Sequence, residues 1–98
     1  MAARRLFALL GRDRRLVANH KATTMPAIRV LDLLPEHPMV TLPGVMGLLK
    51  TTKPTAGKAI DALCKAGVLK ETTGRRRDRI YAYEAYLKVL AEDTAAIR

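Results

Sequence analysis

Cysteine occurs once, at Cys64, so the chain can close no internal disulfide. With no second Cys and no nearby pair of histidines, metal-ligand spacing is missing too, and neither a metal nor a cofactor is expected. His20 and His37 stand singly, without a Ser, Cys or second His beside them, and read as solvated loop residues rather than catalytic bases. Paired carboxylates, a nucleophile with its base and a phosphate-binding loop are all missing. Gly44 and Gly47 match no nucleotide fingerprint, so the sequence argues against an enzyme. No apolar run is long enough to cross a membrane. The opening MAARRLFALLGRDRRL has a short apolar patch, but Gly11 ends it and Arg12, Asp13, Arg14 and Arg15 follow, which leaves no signal-peptide core. A reducing cytoplasm fits these absences best. Internal repeats, low-complexity tracts and flexible linkers are also lacking.

Acidic residues are few: nine Asp and Glu stand against eighteen Lys and Arg, a formal charge of +9 that makes a polyanion the leading partner. Charge alone does not choose between DNA, RNA and anionic lipid. Hydrophobic residues make up 49% of the 98, enough for one modest core and one domain.

The most strongly punctuated stretch runs from Thr41 to Tyr83. Thr41 is placed to cap a first short helix, with Pro43 early in it and Val45, Leu48 and Leu49 as core contacts. Gly44 and Gly47 each cost on the order of 1 kcal/mol there unless close packing needs them. The turn is Lys50-Thr51-Thr52, with Lys50 where a left-handed backbone usually favours glycine. A second helix, from Lys53 to Ala66, takes Thr52 as N-cap, Pro54 in its first turn and Gly67 as exit. Ala56, Ala59, Ile60, Leu63 and Ala66 form its apolar face. At roughly 100° per residue, Thr55, Lys58, Ala62 and Lys65 share another face, polar and mostly basic, with Asp61 at its edge and Gly57 beside it. Cys64 adjoins the apolar face, so a packed, half-buried thiol is expected rather than a nucleophile. Beyond Gly67, VLKETT suits a strand, TGRRRD a tip turning at Gly74, and RIYAY a returning strand. Arg75, Arg76, Arg77 and Arg79 crowd the tip with only Asp78 opposing them, and contact with phosphate is favoured over a merely solvated loop.

Two short helices joined by a tight turn and followed by a basic hairpin make a winged helix-turn-helix. The expected fold is mainly α with a small β-hairpin. Residues 1–22 would form an N-terminal amphipathic helix, and residues 23–98 the winged domain with a C-terminal helix. In the first segment, Leu6, Leu9, Leu10, Leu16 and Val17 fall on one stripe of a helix from about Ala3 to Asn19. Three readings compete for that stripe: cover for the domain's own core, a homodimer interface, or a basic helix on a membrane surface. Gly11 and Asp13 interrupt the face and argue against the last. Thr24 caps the next helix, Pro26 sits in its first turn, Ile28, Leu31 and Leu34 form its ridge and Pro35 ends it. Val40 and its neighbours suit a short first strand. The closing EAYLKVLAEDTAAIR reads as an amphipathic helix that frays at its end, and Tyr81, Tyr83 and Tyr86 read as core residues.

From Leu31 to Leu90 the sequence resembles the winged helix-turn-helix domain at the C-terminus of many bacterial Fic-family proteins. LDLLPEHPMVT carries the likeness, followed by KPTAGKAIDALCKAGVLKETTGRRRDRIYAYEAYLKVL. Within the latter, Pro54-Thr55-Ala56, Gly67, the TGRRR tip and the run from Tyr83 to Leu87 keep family order, and RLFALLGRDRRLVA resembles the family's connecting helix. The chain departs from the family at Lys50 and Thr51. The Fic catalytic motif, His-Pro-Phe followed by a Gly-Asn-Gly-Arg run, is not found, because His37-Pro38 is followed by Met39-Val40. The resemblance implies a transcriptional regulator or the DNA-binding module of a Fic-like protein.

The function expected is binding of double-stranded DNA, largely through phosphates, by Lys53, Thr55, Lys58, Lys65, Arg75, Arg76, Arg77 and Arg79. The alternative is a dimerisation or regulatory interaction module that does not touch DNA.

Overall fold

The computed structural model describes residues 2–97, with side chains from 4 to 92. Arg98, the end of the run expected to be helical, lies outside the described residues, as do the side chains of 93–97 where fraying is expected.

Among the described residues five helices and three two-residue strands follow one another as α1 (Ala2–Asn19), α2 (Met25–Leu33), β1 (Met39–Val40), α3 (Leu42–Leu49), α4 (Lys53–Lys65), β2 (Lys70–Glu71), β3 (Tyr81–Ala82) and α5 (Glu84–Ile97). The fold is therefore mainly α with a small three-stranded antiparallel sheet, and β3 is its middle strand. β1 pairs with β3 through Met39–Ala82 and Val40–Tyr81, and β2 pairs with β3 through Lys70–Ala82 and Glu71–Tyr81.

Three threonines start three helices by the same physics. Each sits in extended backbone and lends its hydroxyl oxygen to an N–H that the first turn leaves without a partner. Thr24 accepts from Ala27 N at 3.3 Å, Thr41 from Gly44 N at 3.1 Å and Thr52 from Thr55 N at 3.4 Å. A proline follows within the first turn of each helix, where its missing N–H costs nothing. α3 ends on Lys50, which adopts the left-handed conformation at φ 51°, ψ 53° and donates its N–H to Gly47 O. Glycine takes the same conformation at the exit of α4, where Gly67 has φ 83°.

α4 lies at the centre, packed most extensively on α2 and next on α3. Ala56, Ala59, Ile60 and Leu63 meet Val30, Leu31, Leu34, Val45 and Leu49 there. Ala62 belongs to this core as well, 1% exposed, which corrects its expected place on the basic face. α2 and α3 flank α4 on two sides, so its buried arc is wider than a single stripe. Asp61 consequently sits in the middle of the remaining exposed arc rather than at its edge, with Lys58 and Lys65 exposed around it.

α1 packs against α5 and α2, joining the same core. Leu9 and Val17 are buried, Leu6 and Leu10 half-buried, and Leu16 is 49% exposed. The first reading of the stripe thus holds for Leu9 and Val17, which are enclosed within the chain itself and closed to a second copy. Leu16 leaves the stripe. Asp13 is buried at 3% exposure among these apolar neighbours, where its Oδ2 accepts the hydroxyl proton of fully buried Tyr83 and its Oδ1 accepts from Arg12 Nε at 3.2 Å. That bond joins α1 to the end of the sheet across 70 residues. Tyr83 also stacks on Tyr86 with ring centroids 5.5 Å apart, and Tyr86 donates its hydroxyl to Pro35 O at 3.3 Å, so the expectation of tyrosines in the core holds for both. Among the described residues, no helix is long and apolar enough to cross a membrane.

Candidate nucleic-acid interface

The loop between β2 and β3 is built by one carboxylate. Glu71 Oε2 accepts the Thr73 hydroxyl at 2.7 Å, the Gly74 N–H at 2.6 Å and the Thr73 N–H, so three donors of the turn converge on it. These partners, the Thr73 hydroxyl first and the Gly74 N–H second, hold the Glu71 carboxyl below the usual range against the opposing effect of burial. Thr72 N still donates to Ile80 O at 2.9 Å, but beyond it the ladder gives way to these side-chain bonds. The strands are therefore shorter than VLKETT and RIYAY suggest. Gly74 at φ 64° and Asp78 at φ 54° reverse the chain, both residue types that tolerate the left-handed region.

Two arginines close the tip on themselves. Arg75 donates from its guanidinium to Asp78 O at 3.0 Å, and Arg79 Nε donates to Arg75 O while lying 4.0 Å from Glu71 Oε1. Arg76 and Arg77 make no ion pair among the described residues and stand exposed.

Between this tip and the start of the central helix pair lies an open groove of about 670 Å³. Leu42, Pro43 and Met46 of α3 and Tyr81 of β3 give it apolar walls, and Lys53, Arg76, Arg77 and Arg79 bring four cations to it against the single carboxylate of Asp78. Lys53 arrives there because Thr52 caps α4 and sets its first turn against the hairpin. The groove continues past Leu42, Arg79 and Tyr81 into a second hollow of about 410 Å³, where Gly57, Ile60, Asp61, Cys64 and Glu71 join the lining. Positive charge thus outweighs Asp78 at the N-terminal end of α4, and the carboxylates of Asp61 and Glu71 lie further along.

Of the residues expected to meet DNA, the structure brings Lys53, Arg76, Arg77 and Arg79 together. Arg75 is exposed beside them, tied to the backbone of its own loop. Lys58 is exposed on α4 about one and a half turns beyond Lys53. Thr55 is half-buried, its oxygen accepting the Thr52 hydroxyl at 3.0 Å, and so belongs to the cap more than to the surface. Lys65 lies in the last turn of α4 and pairs with Asp61 at 3.0 Å. Leu42, Pro43, Met46 and Tyr81 were not expected in the site. Glu71 was missed as well, because the turn signal in the sequence is Gly74, and the short side chains that usually bond a turn backbone are Asn, Asp, Ser and Thr rather than Glu.

Cys64 is half-buried, and burial first, then the charges of Asp61 and Glu71, push its thiol up, so it remains protonated at neutral pH. His20 Nδ1 accepts from Ala22 N at 3.1 Å in the turn after α1, and His37 is exposed. Among the described residues no group of His, Cys, Asp and Glu is arranged to hold a metal ion. No family model matches the chain, and no curated protein is detectably similar to it.

Proposed function

We propose that the chain is a winged helix-turn-helix module that binds double-stranded DNA, with the start of α4 at the major groove and the hairpin tip on the adjacent phosphates. The observation that carries this reading is the convergence of Lys53 with Arg76, Arg77 and Arg79 on one groove. Guanidinium groups suit phosphate oxygens, and cations lining a concave surface, three of them without an ion pair among the described residues, concentrate a polyanion there. The order of α3, turn, α4 and hairpin supports the same reading, as does the sequence resemblance to the C-terminal domains of Fic proteins. The outward arc of α4 offers exposed Lys58 and Asp61 with half-buried Gly57 and Cys64, few of them suited to bidentate base contact, so binding rests chiefly on phosphates. The module acts in the cytoplasm on the genome and carries out no reaction of its own.

Titration of the chain against duplex DNA at several salt concentrations tests this. If the four groove cations each meet a phosphate, log Kd should change with log salt by about 3.6 per decade, a loss of roughly 150-fold between 50 and 200 mM salt. The double variant Arg76→Gln/Arg77→Gln should lower that slope by about 1.8. A flat salt response, or no binding at low salt, defeats the proposal.

A second reading, a dimerisation module that does not touch DNA, draws on α1, where Phe7 is 75% exposed and Leu16 is 49% exposed. Sedimentation of the wild-type chain beside a Phe7→Glu/Leu16→Glu variant separates the two: a concentration-dependent dimer lost in the variant favours the interaction module.

A further inference from the structure

Negative charge beside a phosphate-binding surface ordinarily weakens binding, and Glu71 lines the hollow into which the groove continues past Arg79. Its carboxylate, however, is turned into the loop. One oxygen takes the Thr73 and Gly74 N–H groups and the Thr73 hydroxyl, and the other faces Arg79 at 4.0 Å. Past the Thr72 to Ile80 ladder bond, the remaining ties within the loop are the two arginine bonds to its own backbone, from Arg75 to Asp78 O and from Arg79 to Arg75 O. Arg75, Arg76, Arg77 and Arg79 fall within five residues, and their mutual repulsion favours an open, disordered loop.

We infer that Glu71 is a positioning residue for the DNA contact: it holds the loop closed so that Arg76, Arg77 and Arg79 face the groove beside Lys53 before DNA arrives. This rests on the DNA-binding reading above. Preorganisation removes the entropy that ordering the loop would otherwise cost on binding, so the net effect of this carboxylate is to strengthen binding to a polyanion. Simple Coulomb repulsion gives the opposite sign, and the sign is what an experiment reads.

The test compares Glu71→Ala and Glu71→Gln with the wild-type chain on one short duplex, with folding of each followed by circular dichroism. Glu71→Ala should bind about tenfold more weakly, while the salt slope is unchanged because the same phosphates are met once the complex forms. Glu71→Gln keeps an acceptor oxygen for the Gly74 and Thr73 donors and sheds the charge, so it should bind as tightly as wild type or more tightly. Slowed exchange of the Thr73 and Gly74 amides in wild type, lost in Glu71→Ala, locates the effect in the loop. Glu71→Ala binding as tightly as wild type, or more tightly, overturns the inference while leaving the DNA reading intact. A wild-type chain that binds no duplex overturns both. If Glu71→Ala does not fold, Thr73→Val decides, since it removes one of the three donors: weaker binding at an unchanged salt slope supports the inference, and unchanged affinity defeats it.

Discussion

Replacing Tyr83 by Phe removes a single hydroxyl from the most enclosed polar contact in the fold. The ring remains, with its stack on Tyr86, so packing is conserved and the loss is confined to the bond with Asp13. Tyr83 is fully buried and Asp13 is 3% exposed, so water does not replace the missing donor. The carboxylate keeps only Arg12, at 3.2 Å on its other oxygen. Leaving one oxygen of a buried carboxylate without its donor costs about 1.5–3 kcal/mol. In a chain of this size, about 2 kcal/mol corresponds to a midpoint lowered by roughly 8–16 °C. Urea unfolding followed by far-ultraviolet circular dichroism measures it. A cycle with Asp13→Ala should show coupling of about 1 kcal/mol or more, because removing both partners leaves no orphan. The contact also contributes to the alkaline decline of stability. Burial first, then the hydrogen bond from Tyr83 to Asp13 and the Asp13 charge, push the phenol above its ordinary value. The folded chain therefore keeps a proton that the unfolded chain releases from about pH 10 upward, so this contribution is whole below that pH and lost above it. The alkaline decline should be shallower in Tyr83→Phe. A variant within about 0.5 kcal/mol of wild type, with the same alkaline slope, refutes the account.

Two further outcomes follow from local geometry. Lys50 holds φ 51° without being glycine, so Lys50→Gly should stabilise the chain by about 0.5–1 kcal/mol, read as a higher urea midpoint, and a lower midpoint contradicts the strain. The raised Cys64 thiol should react with iodoacetamide several-fold more slowly at pH 8 than the same chain unfolded in guanidinium, and equal rates would show that neither burial nor Asp61 and Glu71 restrains it.

Helix ends were readable from the sequence because their causes are local. A threonine, a proline within three residues and a glycine at the exit act over a single turn, and Thr24, Thr41, Thr52 and Gly67 all stand where such chemistry puts them. Lys50 was legible for the same reason: the turn has room for one left-handed residue, whatever its side chain. What escaped is decided by partners distant in the chain. The wheel of α4 assigns Ala62 to a basic face until α2 and α3 are seen to enclose the helix from two sides. Leu16 joins an apolar stripe by spacing, yet the helix presents it outside the arc that α2 and α5 cover. Asp13 looks like an interruption in an apolar face because Tyr83, the residue that makes its burial tolerable, lies 70 positions away.

Net charge, too, changes meaning once the pairs are known. α1 is rich in arginine, but Arg5 pairs with Glu92, Arg12 with Asp13 and Arg14 with Asp32, so much of its charge is matched within the fold. Lys65 and Lys70 are similarly opposed by Asp61 and Glu84. At the start of α4 and on the hairpin tip, Lys53, Lys58, Arg76 and Arg77 face no carboxylate within pairing distance among the described residues. Exposed pairs contribute little to stability, but each removes a charge from the field that a polyanion meets at close range. The excess of +9 therefore acts unevenly, and part of its unpaired portion, Lys53, Arg76 and Arg77, stands where the groove opens. Under the DNA-binding proposal the hairpin therefore outweighs α4 in affinity: it brings Arg76 and Arg77 to the groove without ion pairs among the described residues, with Arg79 beside them, while the middle of α4 presents Asp61.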